Sequence, residues 1–166
     1  MFDRINATQH ACYLEALPWD QLLPLAKHWV GDALEILQQK DPTLEMKGST
    51  GRFRVERFAL HPERQPWSYL ITFTQAKVAT PLDPWQQVHF AQRIALQAQV
   101  AAYCDMPPEL GQTDPGFYWQ LKVSPAAQEV QFHIARCEEW GDDGIRLIDL
   151  TPVDLRNFEL YQLFRS

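Results

Sequence analysis

Apolar and polar residues alternate with period two in two stretches of this chain. Trp67, Tyr69, Ile71 and Phe73 fall on one side of an extended backbone. Phe117, Trp119, Leu121 and Val123 do the same further on. Side chains of a strand point alternately to opposite faces, so each stretch predicts a strand with one heavily apolar face. Arg52 to Leu60 reads as another strand, with Phe53 and Val55 on one parity and Phe58 and Leu60 on the other. That change of phase predicts a bulge near Glu56 or Arg57. Gln128–Glu138 and Ile145–Leu150 complete the strand pattern, with Val130, Phe132 and Ile134 as the inward parity of the former.

Helical spacing appears in three segments. From Asp20 to Lys40, the residues Leu22, Leu25, Ala26, Trp29, Val30, Ala33, Leu34, Ile36 and Leu37 recur at three- and four-residue steps. Asp41-Pro42 is the expected stop. Asp83-Pro84 opens a second helix, with aspartate as N-cap and proline at the first helical position. This helix is expected to run to about Cys104. It carries a small-residue face, and opposite it a second stripe of Trp85, Leu96, Val100 and Tyr103. Thr151-Pro152-Val153-Asp154 reads as the start of a third helix. The predicted fold is α+β in one domain, 1–166. A mainly antiparallel sheet of about five to six strands carries helices on one face, in the order α-ββ(β)-α-βββ-α. This order of elements is similar to that of small acidic secretion chaperones, a likeness of topology carried by no motif.

Charge adds an asymmetry. The net charge is −6, yet residues 40–77 hold seven basic and four acidic side chains. The balance disfavours nucleic acid as a partner and suits steering of a charged protein. The N-terminal MFDRINATQH lacks the basic start and apolar run of a secretory signal, and no apolar run is long enough to span a membrane. A cytoplasmic protein with no membrane association is expected. Cys12, Cys104 and Cys137 form no C-x-x-C pair and are expected as reduced, buried thiols.

Candidate chemistry is sparse. The five histidines include no pair at helical ligand spacing, and no H-E-x-x-H occurs. Glu138, Glu139, Asp142 and Asp143 lack the layout of a calcium loop. No glycine-rich phosphate loop and no G-x-S-x-G is present. Catalytic residues, metal and cofactor are therefore each read as none. The leading expectation is a non-enzymatic protein-interaction module: a chaperone, adaptor or immunity-type inhibitor. Trp85, Tyr103, Trp140 and Arg54 are its expected contact residues, because binding energy concentrates in Trp, Tyr and Arg. A homodimer is also open. The alternative is a small-molecule binding protein or enzyme, with Trp67, Tyr69, Trp119, Arg54 and His133 lining a pocket between sheet and helices.

Overall fold

The computed structural model of this chain describes residues 7–58, 66–76, 83–111, 114–127, 129–139 and 145–163. Its strands are β1 (Ala7–Leu14), β2 (Glu35–Lys40), β3 (Thr43–Lys47), β4 (Arg52–Arg57), β5 (Tyr69–Ala76), β6 (Ala102–Asp105), β7 (Tyr118–Ala126), β8 (Glu129–Glu139) and β9 (Ile145–Val153). The helices are α1 (Leu22–Val30), α2 (Pro84–Ala98) and α3 (Glu159–Leu163). All the strands join one sheet in the order β2-β3-β4-β5-β1-β6-β7-β8-β9, and every neighbouring pair is antiparallel.

The chain is α+β but mostly sheet, and the expected architecture is corrected. The expected five to six strands in the order α-ββ(β)-α-βββ-α give way to a single nine-stranded antiparallel sheet with three α-helices among the described residues. The likeness in element order to secretion chaperones falls with that architecture. α1 lies over β3 and β4, while α2 lies over β1, β6 and β7. The outermost strand β2 is exposed along its whole length.

The extra strands are β1, β2, β3 and β6; two segments expected as helix hide β2 and β6, and a third, expected to open a helix, lengthens β9. The first is the predicted helix Asp20–Lys40, which stops at Val30. Gly31 follows with φ 75°, and a Cβ there would meet Ser49 Oγ at 2.8 Å and Thr50 Cγ2 at 2.9 Å. The β3–β4 turn is docked against this end: Thr50 N donates to Val30 O at 2.9 Å and Ser49 N to Asp32 O at 2.8 Å. Thr50 Oγ1 also donates to Trp29 O. The helix's last carbonyls are thus taken by another segment, and Leu34, Ile36 and Leu37 continue as β2 and its approach.

The second is the predicted helix to Cys104. α2 begins as expected, with Asp83 Oδ1 accepting from Trp85 N and Gln86 Oε1 accepting from Asp83 N, each at 2.8 Å. It ends at Ala98 because Gln99 adopts the left-handed conformation at φ 58° and its N–H closes on Ala95 O. Tyr103 therefore sits on β6. The third is Thr151-Pro152, which opens no helix. Both residues belong to β9, where Pro152 pairs with His133 at the edge of the sheet.

The larger core gathers Leu22, Trp29, Phe53, Ile71, Phe73, Trp85, Phe90, Ile94, Leu121 and Tyr161, from the helices and one face of the sheet. Trp29 ties α1 to α2: its Nε1 donates to Gln97 Oε1 at 2.7 Å, and the Arg93 guanidinium lies 4.2 Å from its ring.

Candidate functional site

Alternation places a second apolar cluster on the opposite face of the sheet. In β1, Cys12 and Leu14 belong to the larger core and Tyr13 does not. In β6, Ala102 and Cys104 do and Tyr103 does not. Trp67, Ala101, Tyr103, Ala135 and Cys137 are buried there, with Tyr13, Phe58, Tyr118, Ile145 and Leu147 half-buried around them. The Tyr13 and Trp67 rings stack at 4.9 Å, Trp67 lies 5.2 Å from Tyr103, and Phe58 lies 5.9 Å from Tyr13. No helix among the described residues contributes to this cluster.

Phe58 corrects a local expectation. The β4–β5 register runs without a shift from Arg52 to Arg57, so no bulge lies near Glu56 or Arg57. The change of parity at Phe58 marks the second apolar face.

Polar groups fringe the cluster. Tyr103 Oη donates to Glu15 Oε1 at 2.7 Å, and Lys122 Nζ stands 3.6 Å from the same oxygen. Tyr118 Oη donates to Asp105 Oδ1 at 3.2 Å. Gln120 is wholly buried, and its Oε1 accepts nothing among the described residues. Burial, then the Asp105 carboxylate, raises the Tyr13 hydroxyl above its ordinary value and does the same for Tyr118. Burial, then the bond to Glu15, raises Tyr103. All three hydroxyls remain protonated donors at neutral pH. Burial pushes the Cys137 thiol up to about 11, and it raises Cys12 and Cys104 as well. None of the three is a ready nucleophile at neutral pH, because the reactive form is the thiolate.

The residues expected to bind do not converge. Trp85 is wholly buried in the main core, with Nε1 donating to Glu109 Oε2 at 3.0 Å. Tyr103 is wholly buried under the opposite face. Arg54 is exposed on β4 and pairs with Glu56. Trp140 lies outside the described residues. Of the alternative pocket, Trp67 and Tyr69 fall in different clusters on the two faces. Trp119 is half-buried, its Nε1 donating to Asp114 O at 3.1 Å. His133 alone lines a cleft, of about 710 Å³, between α2, β8, β9 and α3. Leu96, Val130, Phe132 and Val153 give that cleft apolar walls, and Glu129, Asp154 and Arg156 charge its margin. Tyr161 Oη closes one side by donating to Gln92 Oε1 at 3.0 Å.

Sequence reasoning passed over Tyr13, Phe58, Tyr118 and Leu147. The usable signal was the pair of parities at Phe53/Val55 and Phe58. A strand apolar on both parities is a strand with two faces to cover.

Among the described residues, no group of three or more His, Cys, Asp or Glu is placed to hold a metal ion, and no helix is long and apolar enough to cross a membrane. No protein-family model, no curated protein and no solved structure matches the chain.

Proposed function

We propose that this chain is a non-enzymatic protein-interaction module, of the chaperone, adaptor or immunity-inhibitor kind, and that its partner docks on the helix-free face of the sheet. The observation that carries the reading is the half-buried ring of Tyr13, Phe58, Tyr118, Ile145 and Leu147 around a buried aromatic centre, on the side where no helix contributes. A half-buried aromatic surface with hydroxyl donors at its rim has the composition of an interface core. Exposed Asp105 and Glu139 border it, and the chain's net charge is −6. The fitting partner is a protein presenting apolar residues ringed by basic ones. Arg54 lies on the same face, beyond the cluster. Nucleic acid is disfavoured by the same charge. Three buried free thiols suit a cytoplasmic setting.

The test is site-specific photo-crosslinking. A crosslinking residue at Tyr118 captures a discrete partner in cells, and the same residue at Lys27, on α1, does not. Tyr118→Ala, folded by circular dichroism, lowers the capture at Phe58. Equal labelling at Tyr118 and Lys27 overturns the reading. A second reading, small-molecule binding, rests on the cleft between α2 and β8. Its volume falls within the range of ligand pockets. A ligand that raises the melting temperature of the native protein but not of Arg156→Ala supports it.

A further inference from the structure

Among the described residues, the sheet ends on two outer strands, and they are unequal. β9 contains Pro152, which removes a backbone donor and blunts that edge. β2 contains no proline. Its six residues, Glu35-Ile36-Leu37-Gln38-Gln39-Lys40, are all exposed. Leu34, Ile36 and Leu37 are 37%, 43% and 38% exposed, three of the larger apolar side chains left to solvent.

The charges of β2 are self-complementary. Glu35 stands at one end and Lys40 at the other, with four uncharged residues between them. An antiparallel copy, related by a two-fold axis between Leu37 and Gln38, sets Glu35 against Lys40 of the partner subunit. The reciprocal pair forms on the other side of the axis, and Ile36 meets Gln39 of the partner subunit. Parallel pairing would set like charges together instead. Lys40 makes no ion pair among the described residues, so its charge is available. Glu35 is 3.3 Å from Lys47 on its inner side, both half exposed, which leaves its outer side open.

The register of β2 against β3 skips one residue at Leu37. A bulge commonly turns an edge away from partners. Here it falls beside the axis of the self-pairing, so the bulges of two copies coincide. The segments on either side keep their register, and at the centre Leu37 of each copy lies against Gln38 of the partner subunit. We infer that β2 is a self-association edge: a second copy of this chain adds β2 to β2 in antiparallel fashion and continues the sheet across a two-fold axis. The surface is separate from the aromatic face, so the two readings stand or fall independently.

Sedimentation velocity over a concentration series tests it. The native chain shows a monomer–dimer equilibrium. Lys40→Glu and Glu35→Lys each raise the dimer dissociation constant about tenfold, because two exposed cross-strand pairs become repulsive. The two variants mixed in equal amounts dimerise again, since each then meets its opposite charge. Melting temperatures within the native range show that both variants are folded. A chain that stays monomeric throughout, variants as dimeric as the native chain, or a mixture no more dimeric than its components overturns the proposal.

Discussion

The side-chain amide of Gln87 serves as a strand neighbour for Ala11. Its Oε1 accepts from Ala11 N at 2.8 Å, and its Nε2 donates to Gln9 O at 3.1 Å. β1 pairs with β5 along its whole length but with β6 only at Tyr13 and Leu14, so its first residues have one open side in the middle of the sheet. A helix side chain fills the gap with the donor and acceptor that a strand would have offered.

Gln87→Leu is expected to leave Ala11 N without its partner and to cost about 1–2 kcal/mol. Urea denaturation measures the loss. Amide hydrogen exchange should speed up at Ala11 well before it does in β7 or β8.

Gly48→Ala should be destabilising by about 2–3 kcal/mol, in the range for a backbone clash that cannot relax. A Cβ at Gly48 would lie 2.4 Å from Val30 O, and that oxygen is fixed by Thr50 N at 2.9 Å. Thermal melts compare the variant with Gly111→Ala. There a Cβ has open space, and only the left-handed backbone, φ 80°, opposes the change.

Trp85→Ala should cost about 3–5 kcal/mol, the usual loss for a buried aromatic. Its ring is wholly enclosed, packs 5.7 Å from Phe158 and donates to Glu109. At a temperature where the variant is folded, partner capture at Tyr118 should be unchanged, because Trp85 offers no surface on the helix-free face.

His10 sits between Phe73 and Phe90, at ring distances of 6.2 and 5.1 Å. Burial, then the Arg93 charge, holds its pKa below the ordinary 6.5, against a hydrogen bond with Gln75 that raises it. The folded state therefore favours the neutral ring. The stability this contributes stands in full above the unfolded value and is lost as the pH falls through the lowered one. The melting temperature of His10→Gln should decline less steeply than that of the native chain from about pH 7 to about pH 5.

The residues that declared their structure in the sequence are those with one periodicity and one face. Tyr69, Ile71 and Phe73 on β5 and Leu121 and Val123 on β7 alternate as read, and Asp83-Pro84 starts α2 where expected. β1 was not legible because its two parities differ little in polarity, as befits a central strand with apolar neighbours on both faces. β2 was hidden because Ala33, Leu34, Ile36 and Leu37 extend the helical spacing of α1, and only Gly31 interrupts it. β6 followed a helix end at Gln99, where a glutamine takes a conformation usually signalled by glycine. The aromatic face had its marker at Phe58, but a parity change alone does not separate a bulge from a second core.

The earliest of the described strands occupies the middle of the sheet. β2 to β5 form one run of hairpins and β6 to β9 another, and β1 is the only described strand between them. Its pairing with β5 joins positions as distant as Ala7 and Ala76, and its pairing with β6 joins Leu14 to Ala102. Each run can assemble from near neighbours, whereas the keystone must be captured from afar, a slow class of contact. A chain lacking those first residues would hold two separate four-stranded ribbons, each with a raw inner border, and the aromatic centre shared by Tyr13, Trp67 and Tyr103 would never be assembled.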